Sequence, residues 1–123
     1  MPSTILWFAT DDFEDSDEDR DARINEEIGG AALAKWLSAE LQTKGLTASA
    51  PWAEDHGWEF DVRDGADTYL IVCTIEDGQD GDREACVQVH KGKPGRDSLD
   101  ASDPLLRQIT VLLEGRGAAP RIE

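Results

Sequence analysis

Trp58-Glu59-Phe60-Asp61-Val62-Arg63-Asp64-Gly65, followed by Tyr69-Leu70-Ile71-Val72-Cys73-Thr74-Ile75, decides the fold of this chain. In the first run Trp58, Phe60 and Val62 alternate with Glu59, Asp61 and Arg63. That period of two describes a strand with one buried face and one wet face. Asp64-Gly65 then reads as a turn. The second run is apolar at both alternating sets of positions, as expected of a central strand. A polar loop over 77–82 leads to Ala85, Val87 and Val89, which repeat the alternation, so the middle of the chain is an antiparallel meander. Ala48 to Trp52 adds a shorter strand ahead of it.

Working outward, Thr4-Ile5-Leu6-Trp7-Phe8-Ala9-Thr10 is a short apolar run closed by Asp11 and Asp12, and reads as a buried strand. Residues 25–44 carry the principal helix: Gly30, Leu33, Ala34, Leu37 and Leu41 share one side, Trp36 borders it, and Gly45 stops it. Gly29 and Gly30 are poor helix formers, which moves the regular start to Ala31. Asp103-Pro104 is a cap followed by a first-turn proline, and Leu105, Leu106, Ile109, Leu112 and Leu113 form the stripe of a second helix. The order is β-α-(β)-β-β-β-α. The expectation is a single α+β domain over 1–123: a mostly antiparallel sheet of four to five strands with two helices packed on one face.

The formal charge of −15 comes from 27 acidic against 12 basic side chains. Eight of those acids and one arginine lie in residues 11–21, too polar a segment to fold alone, which is read as a solvated acidic loop. The remainder still holds 19 acids against 11 bases. Such a surface repels nucleic-acid backbones and anionic membranes, so direct nucleic-acid binding is not expected. No run approaches the roughly 20 apolar residues a membrane-spanning helix needs. The N-terminal run lacks a preceding Lys or Arg, which is not the pattern of a secretory signal. With two cysteines, the expected compartment is the cytoplasm.

Four features carry chemistry. Asp15, Asp17, Asp19 and Glu26 occupy the first, third, fifth and twelfth positions of a calcium-loop pattern, but Arg20 stands where glycine is required and no entering helix precedes it. Pro51-Trp52-Ala53-Glu54-Asp55-His56-Gly57-Trp58 brings indoles, carboxylates and a histidine together at the entrance to a strand. Trp52, His56 and Trp58 would line a binding site or plug a sheet edge, and His56 oriented by Glu54 or Asp55 would be an acid–base pair. Cys73 and Cys86 sit on adjacent strands and would lie opposite each other in one register, where they are read as two buried thiols. His90-Lys91-Gly92-Lys93-Pro94-Gly95-Arg96 is a basic cluster in an acidic chain, without a phosphate-loop fingerprint. Gly29-Gly30 would admit an anion at the helix N-terminus, or close packing.

The pattern Pro51-x-x-Glu54-Asp55-x-Gly57-Trp58, preceded by a helix ending Leu41-x-x-x-Gly45, resembles small uncharacterised bacterial α+β domains over roughly residues 25–75. The resemblance implies a fold of bacterial type and carries no activity, cofactor or catalytic residue. On function the sequence leaves three readings open. One is a protein-binding or regulatory module, including an immunity protein or nucleic-acid mimic that neutralises a basic partner. Another is an enzyme using His56. The third is a homodimer joined through strand edges and tryptophans. No cofactor is expected.

Overall fold

The computed structural model describes residues 3–77, 83–92 and 102–122, apart from the side chains of Ser3 and Asp77. In chain order the elements are β1 (Ser3–Ala9), α1 (Asp17–Asp21), β2 (Ile28–Gly29), α2 (Ala31–Thr43), β3 (Thr47–Ala48), β4 (Trp52–Glu54), β5 (Gly57–Asp64), β6 (Asp67–Asp77), β7 (Arg83–Lys91), α3 (Pro104–Gly115) and β8 (Arg121–Ile122). They make one eight-stranded antiparallel sheet, ordered β3-β5-β6-β7-β1-β8, with β2 paired to β6 and β4 to β5. The α+β class, the meander and the helices packed against a sheet are as the sequence predicts. The added strands are two or three residues long and too short for a periodic signal. The predicted strand over 48–52 is divided into β3 and β4. Between them the Ser49 amide donates to the Asp61 carbonyl and the Ser49 Oγ accepts from the Asp61 amide, while Pro51 has no amide to give.

Pleating sorts each strand into two faces. Trp58, Cys73, Val87 and Leu6 lie in one row and Phe60, Ile71 and Val89 in the next, all on the face toward the helices. With Leu33, Leu37 and Leu41 of α2 and Leu105, Leu106, Ile109 and Leu113 of α3 they form the core. Gly30, at φ +132°, closes the helix against the sheet: a Cβ there would run into the Cys73 carbonyl. The register also corrects the cysteine geometry. Val87 stands opposite Cys73, and Cys86 opposite Thr74, so the thiols project to different faces and both are free.

The largest correction concerns residues 11–21. Rather than a wholly solvated loop, the segment includes α1 and is anchored by buried Phe13, Asp15 and Asp19 while most of its other acidic side chains stay in solvent, with the Ser16 Oγ accepting from the Asp19 amide at 3.1 Å. Asp15 and Asp19 are buried. Asp15 Oδ1 accepts from the Ala32 amide at 2.9 Å and Oδ2 from the Gly30 amide at 3.3 Å. The start of α2, whose N-cap residue is a glycine with no side chain, is thus capped by a carboxylate from elsewhere in the chain. Both readings of Gly29-Gly30 are present: Gly30 packs closely on the Cys73 carbonyl, and the anion at the helix N-terminus is the protein's own Asp15. Arg23 donates to Asp15 Oδ2 at 3.0 Å and Lys35 to Asp19 at 2.6 Å. Upstream, Phe13 adopts φ +62°, and Arg83 holds it there by donating to the Asp12 and Phe13 carbonyls.

Candidate functional site

The helices lie on one side of the sheet, yet the strands are apolar on both. On the other face one row runs Trp52, Glu59, Val72, Gln88, Ile5, and the row beside it runs Glu54, Gly57, Thr74, Cys86, Trp7, Arg121. Leu70 and His90 continue the next row. Val72 is 4% exposed but stands apart from the core cluster that joins sheet to helices. Ile5, Trp7, Trp52, Leu70 and Cys86 are half-buried. A cavity of about 350 Å³ lies at this face's β1–β8 margin, lined by Trp7, Glu84, Arg121 and Ile122. The indole N–H of Trp7 is buried and has no hydrogen-bond partner among the described residues. Glu54, Asp61, Glu76 and Glu84 are exposed carboxylates belonging to the same face.

The predicted trio of Trp52, His56 and Trp58 is split by this geometry. Trp58 is 5% exposed on the helix-side face and belongs to the core. Trp52 lies on the opposite face, paired across the strands with Glu59. His56 sits at the tip of the tight β4–β5 hairpin, its side chain largely exposed. Gly57 makes that tip possible: at φ +146° it lets the Thr74 hydroxyl donate to the His56 carbonyl at 2.6 Å, where a Cβ would collide. His56 therefore projects back over the sheet, with Nε2 2.8 Å from Glu59 Oε2.

Glu59 displaces the carboxylates expected to orient His56. Glu54 instead accepts the Trp52 indole N–H at 3.1 Å, and Asp55 is exposed at the hairpin tip. The sequence placed Glu59 on a wet strand face, where its partnership three residues from His56 was hidden by the intervening turn. In the structure it is 7% exposed. His90, further along the same face, has its pKa lowered chiefly by burial, with Glu59 opposing that shift and His56 adding to it.

The remaining candidates are placed as follows. Of the calcium-pattern carboxylates, Asp15 and Asp19 are directed to Arg23, Lys35 and the α2 N-terminus, while Asp17 and Glu26 are exposed. Among the described residues no group of three His, Cys, Asp or Glu converges as a metal site. Of the basic cluster, Lys93 to Arg96 lie outside the described residues, and Lys91 is buried. Lys91 Nζ donates to Asp103 at 2.7 Å, Tyr69 donates to the same carboxylate at 3.2 Å, and Asp103 also accepts the Leu105 amide of α3 at 3.0 Å. That cluster joins the sheet to a helix cap.

Sequence reasoning missed Ile5, Trp7, Leu70 and Val72. Their signal was present: β1 and β6 are apolar at both parities, whereas the two amphipathic helices supply cover for one face only. No protein-family model, curated protein or solved structure matches the chain. No helix among the described residues is long and apolar enough to cross a membrane.

Proposed function

We propose that this protein is a protein-binding module whose docking surface is the helix-free face of the sheet, and that its partner presents a basic surface. One observation carries this reading: half-buried Trp7, Trp52, Ile5 and Leu70, with Val72 among them, share a face that no described helix covers. Partly exposed apolar side chains bounded by polar groups are a feature of interaction sites, and tryptophan is enriched among residues that dominate binding. The carboxylates on this face and the net charge of −15 support a partner of opposite sign.

The test compares capture by the wild-type chain with capture by a Leu70→Asp/Val72→Glu variant. Circular dichroism would first establish that the variant folds. The expected result is a basic protein retained by the wild type alone and released as salt rises from about 0.05 to about 0.5 M, where screening shortens the Debye length severalfold. The same proteins retained by both chains, at every salt concentration, would refute the assignment of this face.

A further inference from the structure

We infer that Trp52, together with Glu54 and Glu59, is the seat for an arginine side chain of the partner. This rests on the docking reading above and adds the chemistry of its contact. Trp52 lies at the edge of the helix-free face, half-buried, with its N–H tied to Glu54 Oε1 at 3.1 Å. Directly opposite on β5 stands Glu59, a carboxylate 7% exposed whose Oε2 lies 2.8 Å from Nε2 of His56, a side chain 62% exposed at the hairpin tip. A carboxylate so withdrawn from water gains most from a charged donor. An indole ring beside two carboxylates favours a flat cation that stacks on the ring while donating from its edge, which is guanidinium rather than ammonium.

The molecule contains a filled version of the same arrangement. Arg116 lies over the rings of Phe13 at 4.7 Å and Trp36 at 5.0 Å, and its Nε donates to Asp12 at 3.1 Å. There an aromatic-and-carboxylate set is occupied by the chain's own arginine. At Trp52, Glu54 and Glu59, among the described residues, no lysine or arginine takes that place. A second copy of the chain is a poor occupant, because two bodies of charge −15 would bring acidic faces together.

The experiment titrates the full chain with acetyl-Gly-Arg-Gly-amide and with its citrulline counterpart, which has nearly the same shape and no charge. Binding is followed through the Trp52 indole N–H resonance, assigned with Trp52→Phe. The arginine peptide should shift that resonance with a Kd of order 1 mM, at least about fivefold tighter than citrulline. Glu59→Gln, followed at the same resonance, and Trp52→Leu, followed at the backbone amides of Glu54 and Glu59, should each weaken binding at least about fivefold, with the remaining amide spectrum showing a folded chain. Glu54→Gln, on an exposed side chain, provides a second variant should Glu59→Gln disturb the strand. Equal binding of the two peptides, or a response centred on Trp36 and unchanged in Trp52→Leu, would overturn the inference. Failure here with partner capture still abolished by Leu70→Asp/Val72→Glu would leave the docking face standing and remove only the arginine seat.

Discussion

Replacing Asp15 by Ala tests whether the acidic segment belongs to the fold. In the structure this carboxylate caps the Gly30 and Ala32 amides and pairs with Arg23, whose side chain is 7% exposed. Losing an N-terminal cap costs about 1 kcal/mol. Stranding a buried cation is worse: breaking a buried pair from one side costs about 3–5 kcal/mol. Arg23 keeps a second acceptor in the Glu26 carbonyl at 2.9 Å, which offsets part of that. The expected loss is therefore about 3–4 kcal/mol, a large share of the 5–15 kcal/mol typical of a domain. With a urea slope of about 1.5 kcal/mol/M, the unfolding midpoint should fall by roughly 2 M. Asp15→Asn, which keeps an acceptor for the helix amides, should lose less. Adding Arg23→Met to Asp15→Ala should recover part of the loss, because the stranded charge is gone. The control is Asp21→Ala, on an exposed neighbour, with an expected effect within about 0.5 kcal/mol. An Asp15→Ala midpoint indistinguishable from that control would refute the packed segment and restore a solvated loop.

Alkaline titration probes the cluster at α3. Lys91 has its pKa raised chiefly by its bond to Asp103, and Tyr69 has its pKa raised chiefly by burial. Both groups hold their protons more tightly folded than unfolded, so their contribution is complete below about pH 10 and is lost as pH climbs above it. Urea midpoints should be flat to about pH 10 and then fall, with a shallower fall in Tyr69→Phe. Burial raises both thiols, Cys73 most; a thiol reagent at neutral pH should react slowly with the native chain and should find two thiols after denaturation without reductant. The two tryptophans separate by stability. Trp58→Ala should cost about 3–5 kcal/mol as a core truncation, whereas Trp52→Ala should cost under about 1 kcal/mol by urea unfolding.

Periodicity made the long elements readable. Trp58, Phe60 and Val62 alternate because β5 is wet on one side at Asp61 and Arg63, and the α3 cap is local, since Asp103 reaches the Leu105 and Leu106 amides two and three residues away. What escaped the sequence is non-local. The carboxylate that caps α2 comes from Asp15, 17 residues before the amide it accepts, and one-dimensional patterns place no weight on such a pairing. Charge density misled for the same reason: Asp15 and Asp19 resemble their solvated neighbours in composition, and only the positions of Arg23 and Lys35 set them apart. The cysteine pairing was missed by a single residue of register, which in a strand exchanges one face for the other.

The two-sided apolarity of β6 links this reading to function. A central strand with helices on both faces needs apolar residues at every position, and one with helices on a single face needs them at every second position. β6 has the first composition and the second environment: Tyr69, Ile71, Cys73 and Ile75 meet the helices, while Leu70 and Val72 do not. Folding alone gives no reason to keep Leu70, Trp7 and Trp52 apolar on a face the core does not use. A sheet face that no described helix covers also invites self-association, which the carboxylates at Glu54, Asp61 and Glu84 oppose by repulsion between like copies. On the function proposed above, the same charges would favour a basic surface, so a rim that opposes pairing of identical chains would also select an unlike partner.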